Sequence, residues 1–168
     1  MEVRVALAAD CRAIAEAHVA SWQAAYAGLL PADYLASLSI QDREQMWSEA
    51  LSRRRCEVFV ACSNSEVVGF VALARSRDVN APPGRGELWA LYVHPRRWNT
   101  GAGRGLWSKA REVLSTYGFS SVSVWVLEKN ERALSFYTSA GFRREPGAEK
   151  HSELGGVMLT EVRMVHAS

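Results

Sequence analysis

Apolar and polar positions along this chain recur with two periods, one of strands and one of helices. Residues 2–6 alternate enough for a first strand, and the alanine-rich run after Asp10 keeps helical spacing to about Ala24, with Asp10 as an N-cap type. Residues 31–38 predict a short helix, and Ser39 followed three positions later by Asp42 predicts a cap for another helix reaching about Leu51. Two β-branched or apolar runs, 57–62 and 66–74, flank the turn composition Ser63-Asn64-Ser65 and predict a hairpin. A nearly all-apolar run from Leu88 to Val93, closed by Pro95, predicts a central strand over 87–94. Trp107, Ala110, Val113, Leu114 and Tyr117 then recur at helical spacing until Gly118, with Asn99 and Thr100 as N-cap types ahead of them. Val122, Val124 and Val126 alternate with Ser123 and Trp125 in a further strand over 120–127, and Asn130 caps a helix to about Ala140. Residues 142–144 and 157–165 predict the last strands, while 76–85 and 144–156 have loop composition. The order predicts an α/β fold with a mixed sheet.

Length and composition narrow the picture. A chain of 168 residues with 48% hydrophobic composition suits one domain over 1–168. A net charge of +2 with 23% charged residues carries no nucleic-acid signature. Cys11, Cys56 and Cys62 are odd in number and show no metal-ligand pattern, so reduced thiols are expected. The four histidines form no ligand spacing either, and no metal is expected. No apolar run approaches a membrane span and no leader pattern opens the chain, so a cytoplasmic protein without membrane contact is the expectation.

Candidate chemistry sits where the central strand meets the next helix. Gly101, Gly103 and Gly105 fall at the helix start, where unpaired N–H groups and the positive dipole end favour an anion. The spacing fits neither Gly-x4-Gly-Lys-Ser/Thr nor Gly-x-Gly-x-x-Gly directly after a strand. The plain alternative is that these glycines only allow close helix packing.

The run Leu91-Tyr92-Val93-His94-Pro95 followed by Gly101-Ala102-Gly103-Arg104-Gly105-Leu106 resembles the central motif of the GNAT superfamily of N-acetyltransferases. Residues 130–142, from Asn130 through Ala133, Phe136 and Tyr137 to Gly141 and Phe142, are similar to that family's second signature. The resemblance covers about residues 86–142 and implies a single-domain GNAT-like fold, a mixed central sheet flanked by helices on both faces. It implies acetyl transfer from acetyl-CoA directly to a primary amine. The family's usual Arg/Gln ahead of Gly-x-Gly is Trp98 here, with Arg97 and Arg104 as other sources of charge.

By the same resemblance, acetyl-CoA is contacted by Leu91, Tyr92 and Val93 through backbone, by Trp98, Asn99, Thr100, Gly101, Ala102, Gly103 and Arg104 at the turn, and by Asn130. Tyr137 matches the family's general acid beside the sulphur; a buried ring is the alternative. Glu87, at the start of the central strand, matches a general base in some members; an exposed strand-edge carboxylate is the alternative. Trp22 and Tyr26, four apart on one helical face, and Trp89 are the expected acceptor contacts, with core packing as the alternative. A small-molecule amine acceptor is expected. A protein N-terminal or lysine acetyltransferase, and a non-catalytic acyl-CoA-binding sensor, are the other readings, and the resemblance leaves a homodimer open.

Overall fold

The two periods resolve, in a computed structural model that describes residues 1–167, into β1 (Glu2–Val5), α1 (Cys11–Ala25), α2 (Ala32–Ala36), α3 (Ile40–Ser52), β2 (Glu57–Ser63), β3 (Glu66–Arg75), β4 (Arg85–Val93), α4 (Ala102–Thr116), β5 (Ser121–Leu127), α5 (Glu131–Ser139), β6 (Arg143–Leu154) and β7 (Val157–Ala167). The strands form one seven-stranded sheet in the order β1-β2-β3-β4-β5-β7-β6. Every pairing is antiparallel except β4 with β5, which the α4 crossover makes parallel. The sheet is therefore mixed, as its pattern predicts.

Helices cover both faces. On one, Ala102, Leu106, Trp107, Ala110 and Leu114 of α4 pack on Phe59, Val71, Leu73, Leu88, Val122 and Val124, with Tyr137 and Phe142 at the α5 end. On the other, Ile14 and Ala17 of α1 and Trp47 of α3 pack on Val58, Val60, Phe70, Ala72 and Ala90. This second face contains an aromatic cluster in which His18 stacks on Tyr92 at 4.8 Å and accepts a hydrogen bond at its Nδ1 from Trp47 Nε1 at 3.1 Å.

Several elements depart from their sequence expectation. Asp10 stands at the N-cap of α1, but its side chain makes no cap bond there; its carboxylate accepts the Leu7 N–H at 2.7 Å and both Arg4 guanidinium nitrogens, at 2.8 and 3.0 Å. A charged two-pronged partner on β1 outcompetes a helix N–H for the same oxygens. Neither Asn99 nor Thr100 caps α4: Gly101 is its N-cap at φ 91°, and the Thr100 hydroxyl donates to Arg97 O at 2.7 Å. Residues 144–154, polar enough to suggest a loop, continue β6 alongside β7, with the register shift between Arg144 and Glu149 spanning Pro146 and Gly147. β6 is an edge strand exposed along most of its length, so no buried face marks it in the sequence. Asn130 caps α5 as expected, its Oδ1 accepting the Ala133 N–H at 3.1 Å.

Two stability predictions follow from this packing. Leu106 is fully buried between α4 and the sheet, so Leu106→Ala is expected to cost about 2–5 kcal/mol in urea unfolding. Burial, with a smaller contribution from the Arg43 charge, pushes the His18 imidazole down to about 3. The unfolded chain takes up this proton near its ordinary value of about 6.5 and the native chain does not, so the stabilisation is complete above that pH and is lost as pH falls toward 3. Between pH 6.5 and 5 the wild type should lose about 2 kcal/mol more than His18→Gln, which keeps an acceptor for Trp47; equal losses would remove His18 as the cause.

Candidate active site

The site begins where two strands part. β4 and β5 pair from Arg85 with Ser121 to Leu88 with Val124 and no further, although both continue for several residues. At that point β4 carries a bulge: Leu73 faces Leu88 and Ala72 faces Ala90, leaving Trp89 as the extra residue. The bulge reverses the alternation of β4. Leu88 belongs to the α4 face, both Trp89 and Ala90 to the α1 face, and Leu91, Tyr92 and Val93 then alternate again.

Backbone donors point into the opening. His94 N–H donates to Val68 O at 2.8 Å on the β3 side, so two-residue alternation turns Tyr92 N–H toward β3 and the N–H groups of Leu91 and Val93 toward the gap beside β5. The gap opens into a cleft of ≈ 890 Å³, lined by Leu91, Tyr92 and Val93, by the turn ahead of α4, by α5, and by Ser21, Ala25 and Tyr26 at the end of α1. A smaller cavity of ≈ 60 Å³ continues it between the strands, sharing Tyr26, Leu91, Tyr92, Asn130, Ala133 and Tyr137 and adding Trp89 and Trp125.

One end of the cleft is built for an anion. The first backbone bond of α4 runs from Gly105 N–H to Gly101 O, so the N–H groups of Ala102, Gly103 and Arg104 have no partner within the helix. Gly101 needs to be glycine for its positive φ, since a Cβ there would meet nothing within 4 Å. Gly103 serves a second purpose that local spacing already allowed: a Cβ there would lie 3.1 Å from Phe136 Cε2, so it also permits α4 and α5 to approach closely. Arg97, Arg104 and Arg132 all line this end, and among the described residues none of them is paired with a carboxylate.

Trp98 has a defined use at the position where the motif usually holds Arg or Gln. Its indole N–H donates to Val93 O at 2.8 Å, satisfying a carbonyl that the departure of β5 leaves open. The Arg132 guanidinium lies 4.0 Å over its ring and reaches Asn99 Oδ1 at 3.5 Å. Charge missing from residue 98 is thus supplied by α5. Arg132 was not singled out in the sequence; it occupies a variable position of the second signature, where only the fold brings it beside Trp98.

Tyr137 lines both cavities and is buried, with no hydrogen bond to its hydroxyl from any described residue. Burial, then the nearby Tyr92, pushes its phenol up, so it stays protonated and able to donate at neutral pH. Asn130 lines both cavities while capping α5, so the two readings of that residue are compatible. Thr100 and Ala102 are not among the lining residues, and Ala102 packs into the core.

Glu87 sits elsewhere than expected. It is 1 % exposed, but it does not line the cleft, and its carboxylate is held by the Arg77 side chain and by the Arg77 N–H at 2.8 Å. Both the strand-edge picture and the free-base picture give way to a buried ion pair, because the 76–84 segment folds back and lays Arg77 over it. The same guanidinium covers the Trp89 ring at 4.3 Å. Of the three expected acceptor aromatics, Tyr26 and Trp89 line cavities, while Trp22 stands behind, edge-on to Tyr26 at 4.9 Å. Among the described residues no cluster of three His, Cys, Asp or Glu side chains could hold a metal, and no helix is long and apolar enough to cross a membrane.

Comparison with known proteins agrees with this geometry. The model of the Acetyltransferase (GNAT) family matches residues 6–142. YuaI of Bacillus subtilis (strain 168), described as an uncharacterized N-acetyltransferase, is 39% identical over 161 residues, covering 95% of this chain and 89% of YuaI. Spermidine N(1)-acetyltransferase of Thermoplasma acidophilum is 24% identical over 150 residues, covering 86% of this chain and 89% of that one. Among solved structures, the PaiA N-acetyltransferase of Thermoplasma acidophilum in complex with coenzyme A superposes over 100% of both chains with a TM-score of 0.78 at 20% identity. The yncA protein of Salmonella typhimurium, solved with its cofactor acetyl-CoA, gives 0.74 at 22% identity over 99% of this chain and 92% of that one. The chain belongs to the GNAT family and is an N-acetyltransferase.

Proposed function

We propose that the protein transfers an acetyl group from acetyl-CoA directly to the primary amine of a compact small molecule. The observation that carries this reading is one continuous cleft joining an anion-binding helix start to a buried phenol through the gap between β4 and β5. The residues present fit the cofactor: the N–H groups of Ala102, Gly103 and Arg104, with Arg97, Arg104 and Arg132, meet its pyrophosphate, and the parted strands admit its arm. Acetyl-CoA supplies the activated acetyl group. Narrow passage between Tyr26, Trp89 and Trp125 favours a compact acceptor over a folded protein segment.

The chain's own groups divide the work. N–H groups of Leu91 and Val93, aimed into the gap and fixed by the strand, stabilise negative charge that develops on the thioester carbonyl oxygen. Tyr137 O–H donates toward the departing sulphur. The desolvation that raises the phenol also raises a thiol in the same surroundings, so burial does not oppose that proton's movement. Two protons leave a primary ammonium when it becomes an amide, one passing to the thiolate and one to solvent. Asn130 holds the arm from the α5 start.

Tyr137→Phe should lower kcat by about 10²–10⁴-fold in a free-thiol release assay while leaving acetyl-CoA affinity intact. Equal loss of affinity and turnover would make Tyr137 a packing residue. Arg132→Glu places a negative charge at the anion end without touching the core, and acetyl-CoA affinity by calorimetry should fall by about tenfold or more. Unchanged affinity would detach the cofactor from this end of the cleft.

A further inference from the structure

The reacting nitrogen has to come to one place. Its attack on a carbonyl whose oxygen meets the Leu91 and Val93 N–H groups, and whose sulphur lies by Tyr137, puts it where the two cavities overlap. Tyr26, Leu91, Tyr92, Asn130, Ala133 and Tyr137 line both, and not one of them carries a charge. Among the described residues no aspartate, glutamate or histidine lines either cavity. The three phenols do not replace a carboxylate as proton acceptors, since burial pushes each of them up and keeps it protonated.

Carboxylates nearby are committed to other cations. Glu87 is held by Arg77, and Asp78 by Trp125 Nε1 at 3.1 Å, Arg163 at 3.1 Å and Lys150 at 3.3 Å. Glu161 of β7 acts on Tyr26 and Tyr92 from a distance, raising both, but it lines neither cavity. Burial pushes Glu161 itself up, against the pull of Lys150 and Arg77. The tryptophan rings that border the small cavity already hold cations: Arg77 lies 4.3 Å over Trp89, and Lys150 and Arg163 lie 4.0 and 5.2 Å over Trp125. What other fixed charge reaches the place is positive. Arg97, Arg104 and Arg132 line the wide cleft, Arg43 of α3 acts on Tyr92, the N-terminus of α5 opens at Asn130, and strand N–H groups point into the gap. An ammonium coming here leaves water for a place without a counter-charge.

We propose that the acceptor nitrogen reaches this place uncharged, and that the enzyme thereby selects weakly basic primary amines, whose nitrogen stands beside an electron-withdrawing group such as a carbonyl, over alkylamines and polyamines. The inference rests on the acetyl-transfer reading and narrows its substrate class. Proton balance then closes within the site. The amine has left one proton in solvent before it binds. As the N–C bond forms and the C–S bond breaks, the nitrogen gives up one further proton and the departing thiolate takes one up through Tyr137, so no base has to store any. An alkylamine such as a lysine side chain is uncharged to under about a thousandth at pH 7, whereas an α-amine beside a carbonyl is uncharged to roughly a tenth. A site without a counter-charge turns that difference, about a hundredfold, into selectivity. The Thermoplasma relative is named for spermidine, whose nitrogens are all of the alkylamine kind.

The test compares acceptors matched in shape and unlike in basicity. Leucinamide is paired with 3-methylbutylamine and phenylalaninamide with 2-phenylethylamine, beside spermidine, and kcat/KM is read by free-thiol release from acetyl-CoA between pH 6.5 and 9. Acetyl-CoA affinity is measured separately by calorimetry. The weaker nucleophile gives back part of the hundredfold, so at pH 7 at least one amide should exceed its alkylamine, and spermidine, by about tenfold. For the alkylamine kcat/KM should rise about tenfold per pH unit up to pH 8.5, while the amide levels near pH 8, so that their ratio shrinks toward one by pH 9. Glu161→Gln should keep both slopes. A break between pH 6.5 and 8 shared by every acceptor, with the alkylamine flat above it, overturns the inference, because an enzyme group is then taking the ammonium proton; loss of that break in Glu161→Gln would name the group. Turnover of spermidine or an alkylamine at the amide's rate at pH 7 overturns it as well. Tight acetyl-CoA binding with no turnover of any amine also overturns it and leaves the cofactor reading standing, whereas failure to bind acetyl-CoA overturns the acetyl-transfer reading beneath it.

Discussion

The parting of β4 from β5 after Leu88 and Val124 is the constraint around which this protein is built. Two strands that separate inside a sheet leave backbone donors and acceptors facing each other across space, a cost that a soluble core normally avoids. Here the exposed groups are divided between structure and ligand. Val93 O is satisfied by the Trp98 indole, while the N–H groups of Leu91 and Val93 stay open to the cleft. The bulge at Trp89 makes the divergence geometrically stable, because one extra residue bends β4 away while its other edge remains paired with β3 up to Val93. Helices finish what the strands begin: α4 starts at the mouth of the gap and α5 closes its flank with Tyr137.

On the α1 face, ion pairs hold in place what the gap leaves loose. Arg77 ties the 76–84 segment to buried Glu87 and covers Trp89, the bulged residue itself. Asp78, next along, fixes Trp125 on the opposite strand and gathers Lys150 and Arg163 from β6 and β7. Lys150 also lies 4.0 Å over the Trp125 ring. These contacts join both lips of the opening to one loop, so the loop acts as a strut. Buried and partly buried pairs of this kind contribute little net stability over a well-packed apolar substitute, yet losing one member leaves the other stranded. Their value lies in fixing where the lips stand.

Most of the architecture was legible in the sequence, and the exceptions have physical causes. Long periodic elements such as α1, α4 and β5 were readable because one buried face imposes its period on the chain. The bulge at Trp89 was not, since residues on both faces of β4 are apolar and a reversal of alternation leaves no trace in such a run. β6 was hidden for the opposite reason, being polar on both faces at an edge. Gly101 and Tyr137 were found through motif spacing, and the structure places both on the cleft. Arg132 was not found, because a charged residue on a helix reads as solvated until the fold shows which charges lack partners. Glu87 shows the converse: its position suggested a free base, and only tertiary structure brings Arg77 to it.

Net charge illustrates the same limit. A balance of +2 describes a nearly neutral molecule and carries no signature of a polyanion-binding surface. Pairing within the fold then removes Arg4, Arg77, Arg144, Arg163 and others from the field by setting each against a carboxylate. What remains is unevenly distributed, with Arg97, Arg104 and Arg132 unpaired at one mouth of a cleft whose walls include Phe136 and Leu91. Low-dielectric walls keep that potential from being screened, and the helix start adds to it. Local excess of positive charge, rather than the total, decides which ligand the cleft attracts, and the fold creates that excess by neutralising the charges elsewhere.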